Sequence, residues 1–341
     1  MDITKFKELT ARLADAKGVS GSEDGIAHMC AELMSRYTDR VEIVNGNVYA
    51  HFGERRDKPH VLLDAHLDKV GLICTDVRDD GFISADMVGG IDLRSMPAQP
   101  VIIHGREDIC GVICTLPPHL KTSDEVMTKD QLYIDTGLSP ESAKALISRG
   151  DPISYEAECR ELIGDRLCGA ALDDRCGIST VIQAIDELHY TDDMPYTLTV
   201  MFSTQEEIGE RGACIGAFTV DPDICIEVDV SFALAQGEDR KKCGTLGGGC
   251  MIGVSPTLDK ALSDGFIAFA KENDIPFDIE VMSGTTGTNA DRFTVSRGGA
   301  RAVTLSVPLR NMHLPCEVID ANDCMTTAKL ITAFLRGDVK C

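Results

Sequence analysis

Several stretches of this chain are close to continuously apolar, and each runs up to a residue able to bind a metal ion. HVLLDA leads into His66 and Asp68, TLTVMFST into Glu206 and Glu207, ICIEV into Asp229, and VTLSVPLR to just short of His313. A short apolar run of this kind suits a strand buried on both faces, as in the middle of an α/β sheet. Open α/β sheets place their ligands at strand ends, so the polar residues fall where a site belongs.

The rest of the chain reads in the same terms. Ile3, Phe6, Leu9 and Leu13 give one buried face to a first helix over about residues 3–16. Ser22 is placed as the N-cap of a second helix, with acids after it that suit a helix N-terminus. VEIV and NVYAHF are short strands. Over residues 71–165 the runs GLICTDV, FISADMV, VIIHG and GVICTL are broken by Gly, Pro and Asp, which marks a small β-rich insertion. Helical periodicity is scarce there until SPESAKALIS. An α/β rhythm then resumes, with helices near 176–188, 256–272 and 320–335 and strands near 197–203, 223–229 and 301–307. The expected fold is therefore α/β, a mixed sheet flanked by helices, formed by residues 1–70 and 166–341 around an inserted domain over 71–165.

Composition narrows the function. At 341 residues the chain can bury a substantial core without disulfides. A net charge of −22 argues against non-specific nucleic-acid binding, which needs a positive surface. No window approaches about eighteen consecutive apolar residues, so no membrane span is expected. The N-terminus reads as a charged amphipathic helix without a signal-peptide stretch. The 14 cysteines contain no CxxC pair, and Cys110 and Cys114 lack zinc-site partners. Reduced thiols and a cytoplasmic location follow as expectations.

His66, Asp173, Asp229, His313 and one of Glu206 and Glu207 could hold two divalent ions if an aspartate bridges them. The remaining glutamate would be free to move protons. His66 and Asp68, two apart on a strand, face the same way, so Asp68 can orient the imidazole or simply hydrogen-bond a core histidine. Asp173, in GAALDDRCG, either caps the following helix or bridges cations. Glu206 and Glu207 are adjacent and point differently, which suits different roles and not a facing acid pair of the glycosidase kind.

Taken in order, VSGSE, AHLDKVG, ALDDRCG, STQEEIGERGA, EVDVS, GTTGTNAD and PLRNMHLPCEVID resemble the M42 family of metalloaminopeptidases over nearly the whole chain. DDR-x-G and Q-E-E-I-G-x-R-G-A are the most specific of these motifs. The resemblance implies that His66 and Asp229 bind one metal, Glu207 and His313 the second, and Asp173 both. It implies Glu206 as general base, Asp68 as the partner orienting His66, and a cis peptide at Asp173–Asp174. It also implies an inserted β-barrel-like domain serving dimerisation or substrate access, short peptides as substrates, and dimers that build dodecamers. Zn²⁺, Co²⁺ or Mn²⁺ would suit the His, Asp and Glu ligands. An amidase or deacylase acting on acyl-amino acids is the alternative activity. Asn311 stands where the family usually has Tyr, Leu314 follows His313, and GTNAD replaces the usual GTDA; all three are expected near the substrate pocket.

Overall fold

The apolar runs form the interior strands of the computed structural model, which describes residues 1–54, 58–116 and 126–341. In chain order the strands are β1 (Val41–Val44), β2 (Asn47–Phe52), β3 (His60–His66), β4 (Gly71–Val77), β5 (Ile83–Val88), β6 (Pro100–His104), β7 (Asp108–Ile113), β8 (Tyr133–Asp135), β9 (Pro152–Tyr155), β10 (Arg160–Leu162), β11 (Arg166–Gly169), β12 (Thr197–Ser203), β13 (Ile224–Phe232), β14 (Cys250–Val254), β15 (Phe277–Val281), β16 (Arg301–Leu309) and β17 (Glu317–Asp320). The α-helices are α1 (Ile3–Ala14), α2 (Asp24–Met34), α3 (Pro140–Leu146), α4 (Leu172–Leu188), α5 (Arg211–Val220), α6 (Lys260–Glu272), α7 (Ala290–Phe293) and α8 (Ala321–Arg336).

One eight-stranded mixed sheet runs in the order β1-β2-β12-β3-β13-β16-β14-β15. Its centre, β12-β3-β13-β16, is parallel. Every residue of β3 and β12 is buried, as their composition requires. Val61, Leu63 and Ala65 of β3 pack with Ile26 of α2, Val181 of α4, Phe266 of α6 and Phe334 of α8. Leu62 faces the other way, onto Ala213 and Ala217 of α5 and Ala290 and Phe293 of α7. Strand alternation carries Asp64 and His66 to that second face. Its helices are short and, in α5, built on small residues, and the cavity described below opens there.

The inserted stretch forms a closed barrel, β4-β5-β8-β7-β6-β9, around its own core of Leu72, Ile83, Ile103, Ile134 and Ile153. Fold class thus agrees with the sequence reading. A three-stranded sheet, β10-β11-β17, brings Glu317 under the centre. Among the described residues no helix is long and apolar enough to cross a membrane.

Four details differ from the sequence reading. Ser22 is not the N-cap of α2; Glu23 holds that position without a side-chain cap bond. Its carboxylate is drawn away, accepting from the main-chain N–H groups of Gly21 (2.8 Å) and Gln205 (3.2 Å). α6 begins at Lys260, because Asp259 caps it by accepting from Leu262 N–H at 2.9 Å. β14 and β15 were missed: Gly253 interrupts one run, and Asp278 and Glu280 interrupt the other. β13 continues three residues past Asp229, still paired with β16, although its pairing with β3 stops at Glu227. Asp229 is therefore released from β3 on one side without being a strand terminus.

Candidate metal centre

All the site residues except Asp173 are placed by the carboxyl end of a central strand or by the loop that follows it. His66 closes β3, Asp229 lies near the end of β13, Glu206 and Glu207 follow β12, and His313 follows β16. Asp173 sits at the start of α4, outside helical geometry (φ −76°, ψ 108°), and its peptide bond to Asp174 is cis.

The structure brings all of them together. One oxygen of Asp173 lies 3.0 Å from His66 Nε2 and the other 3.3 Å from His313 Nε2. Asp229 Oδ1 is 3.9 Å from His66 Nε2, and Glu207 Oε2 is 3.3 Å from His313 Nε2. His66, Asp173 and Glu207 have atoms spaced to share one ion, and so do His66, Asp174 and Asp229. Asp174 already accepts two main-chain N–H bonds, from His66 at 3.2 Å and Gly177 at 3.0 Å. Gly177 permits that approach, since a Cβ there would stand 2.2 Å from the Asp174 oxygen.

Asp68 lies beside the His66 imidazole, as read in the sequence, and also serves the neighbouring turn. His66 Nδ1 meets the main-chain carbonyl of Asp68 at 3.1 Å, nearer than its carboxylate at 3.5 Å. The carboxylate accepts from the N–H of Glu206 (2.9 Å), the N–H of Glu207 (3.1 Å) and the Ser20 hydroxyl (2.6 Å). It thereby fixes the turn that presents both glutamates.

Sequence reasoning also missed Glu317. This buried carboxylate accepts from Asp173 N–H at 3.1 Å and His313 N–H at 2.8 Å, so one side chain anchors two candidate ligands. An acid opening the short EVID strand, four residues after His313, was the available signal. Gly90, in the loop after β5, accepts from His313 Nδ1 at 2.7 Å, so the barrel's loop reaches the centre. A Cβ on Gly90 would stand 3.1 Å from that nitrogen.

Crowding buried acids shifts their proton affinities. Burial, with repulsion from Asp229, Glu207 and Asp173, pushes Glu206 up to about 9. Burial and Asp173 push Asp229 up to about 7 and raise Glu207. Burial also acts to raise Asp173, but hydrogen bonds from His313 and His66 hold it below the usual carboxylate range. His313 rises to about 10: burial opposes this, and Asp173 and Glu207 outweigh it. A divalent cation held among these groups would relieve the same repulsion. Lys69, behind Asp173, is pushed down to about 7 by burial and then by Arg175.

A cavity of about 440 Å³ opens beside the centre, lined by the candidate ligands and by Phe232, Glu280, Met282, Thr286, Thr288 and Met312, among others. The GTNAD segment reaches it through Gly287 and Thr288, as expected, whereas Asn311 and the Asn289 side chain are not part of its lining. Asn311 adopts φ +62° and donates to Cys316 O at 3.0 Å, which stitches its own turn. Asn289 is buried, donating to Asp64 (2.9 Å) and Ser203 (2.8 Å). Leu314 lies beside Lys69 instead.

Imidazoles and carboxylates gathered at the carboxyl ends of parallel strands and at the start of α4, in a mixed sheet carrying an inserted barrel, have the layout of a metal-dependent hydrolase. The family model described as M42 glutamyl aminopeptidase matches residues 46–330, and the chain belongs to that family. It is 32% identical to lysyl aminopeptidase of Pyrococcus furiosus over 96% of each chain. Its fold matches an aminopeptidase from the archaeon Desulfurococcus kamchatkensis with a TM-score of 0.92, at 29% identity over 98% of this chain and 95% of that one. It also matches the Pyrococcus horikoshii TET1 peptidase, which can assemble into a tetrahedron or a large octahedral shell, with a TM-score of 0.83 at 27% identity, over 98% of this chain and 99% of that one.

Proposed function

We propose that this M42 aminopeptidase uses two divalent cations to remove N-terminal residues from short peptides. The observation that carries the reading is Asp173, whose two oxygens face His66 at 3.0 Å and His313 at 3.3 Å, as a carboxylate shared between two ligand sets would. The donor set fits such ions. It offers imidazole nitrogen and carboxylate oxygen without cysteine, which suits Zn²⁺, Co²⁺ or Mn²⁺. Its acids are crowded enough to retain protons in the absence of cations. His66 and Asp229 would hold one ion, Glu207 and His313 the other, and Asp173 both.

When bound, the ions supply acidification of a water and polarisation of the scissile carbonyl. Glu206 takes the proton of the attacking water and returns it to the leaving amine. Its main-chain N–H is fastened by Asp68, while its carboxylate lines the cavity and has no hydrogen bond among the described residues. Asp68, Glu317 and Gly90 hold the turn, the bridging aspartate and the second histidine in place. The likeness to the TET1 peptidase supports assembly of this chain into a closed shell, with the barrel at subunit contacts or on the access route.

The test is Glu206→Gln, with bound metal counted by elemental analysis and turnover followed on aminoacyl anilides. The variant should keep two ions per chain and lose a factor of roughly 10²–10⁴ in turnover. Near-normal turnover would remove Glu206 from the reaction.

A further inference from the structure

We infer that the cavity beside the centre selects a cationic N-terminal side chain, lysine or arginine, and that Glu280 is the selecting residue. This rests on the aminopeptidase reading above.

Glu280 lies on β15, the edge strand of the main sheet. Its neighbours Ile279 and Val281 are exposed, at 48% and 77%, whereas Glu280 turns into the cavity. An edge strand ordinarily presents its polar residues to water, so the end of this strand is inverted, with Glu280 inside and Ile279 and Val281 outside. Removing a carboxylate from water is costly unless something compensates it. The hydroxyls of Ser231 and Ser306 donate to its two oxygens, the latter at 3.1 Å, but no lysine or arginine pairs with it among the described residues.

The remaining lining says what would compensate it. No lysine or arginine lines the cavity among the described residues. Glu210, the other acid there outside the candidate centre, is already paired with Arg292 at 2.9 Å. Phe232, Met282 and Met312 supply apolar wall. A lysine or arginine side chain matches both features, with a methylene stem for the wall and a charged tip for the carboxylate and its two hydroxyls. A glutamate side chain would bring like charge toward Glu280, with no lysine or arginine among the described lining residues to receive it.

The experiment uses the metal-loaded full chain and anilides of lysine, arginine, norleucine, leucine and glutamate, with wild type and Glu280→Gln compared at equal metal content. Norleucine keeps the methylene stem and lacks the charge. Wild type should favour lysine and arginine over norleucine, and glutamate should be poorest. Glu280→Gln should lower kcat/KM for lysine and arginine by roughly ten- to a hundredfold and leave norleucine and leucine within about twofold. An equal fall for all substrates would make Glu280 an anchor for the α-amine or a structural group, and would overturn the inference. So would a wild-type enzyme that hydrolyses norleucine or glutamate best, with the aminopeptidase reading intact. Hydrolysis of none of the anilides would instead remove that reading, and this inference with it. The lysine-to-norleucine ratio needs only wild type, so the inference stays testable should the variant fail to fold.

Discussion

Replacing Asp68 by asparagine tests whether that carboxylate governs the glutamate turn or the imidazole. Two oxygens accept three hydrogen bonds, one from Glu206 N–H at 2.9 Å and the others from Glu207 N–H at 3.1 Å and the Ser20 hydroxyl at 2.6 Å. An asparagine must turn its amide nitrogen toward one of these donor sets. The cheaper orientation gives up only the Glu206 bond. A hydrogen bond to a charged acceptor is worth about 1.5–3 kcal/mol, and an orphaned buried N–H costs about 1–3 kcal/mol more. Relaxation of the turn recovers part of that sum, so a loss of about 2–4 kcal/mol is expected. Thermal unfolding of metal-free protein, followed by circular dichroism, measures it. Burial acts to raise the Asp68 carboxyl, and hydrogen bonds involving His66, Ser20 and Glu206 more than offset this and hold it below its ordinary value. A depressed native pKa contributes stability above the unfolded pKa and loses it as pH falls, so the gap from wild type should narrow in the acid range. On the proposed mechanism turnover falls more than metal affinity, because the base is displaced while His66 keeps its main-chain partner. Unchanged melting and turnover would refute the reasoning, and a loss confined to metal affinity would restore the imidazole as the target.

Three further outcomes follow from the same geometry. Glu317→Ala removes the acceptor shared by Asp173 and His313, and should weaken metal retention roughly ten- to a hundredfold in competition with a chelator. Metal-free protein holds protons on His313, pushed up to about 10, and Glu206, pushed up to about 9, at neutral pH. Cations must displace them, so adding Zn²⁺ in weak buffer should release protons, and apparent affinity should rise with pH between neutrality and those values. Gly177→Ala would place a Cβ 2.2 Å from the Asp174 oxygen and should lower the melting temperature by several degrees, on the order of 1–3 kcal/mol of overpacking.

Much of this was readable from local pattern. Apolar runs identified β3, β12, β13 and β16 because a strand buried on both faces has little freedom of composition. The change of texture after residue 70 anticipated the closed barrel. The candidate ligands stood out because acids and histidines at the ends of such runs are conspicuous. β14 and β15 were not readable, since a glycine and two acids break their pattern, and the acid at 280 is turned inward for reasons that lie outside its own strand.

What the sequence determined by itself, then, was which segments must be buried and which side chains could carry metal chemistry, because burial and ligand capacity are properties of residues and their near neighbours. Only the tertiary structure decided how Asp173 divides its oxygens between His66 and His313, which lie on separate strand ends. Only it showed that Asp68 holds the glutamate turn as well as lying beside the imidazole, that Glu317 anchors two candidate ligands, and that Glu280 faces the cavity. Those facts depend on strand order and on contacts between distant parts of the chain, and no local periodicity encodes them.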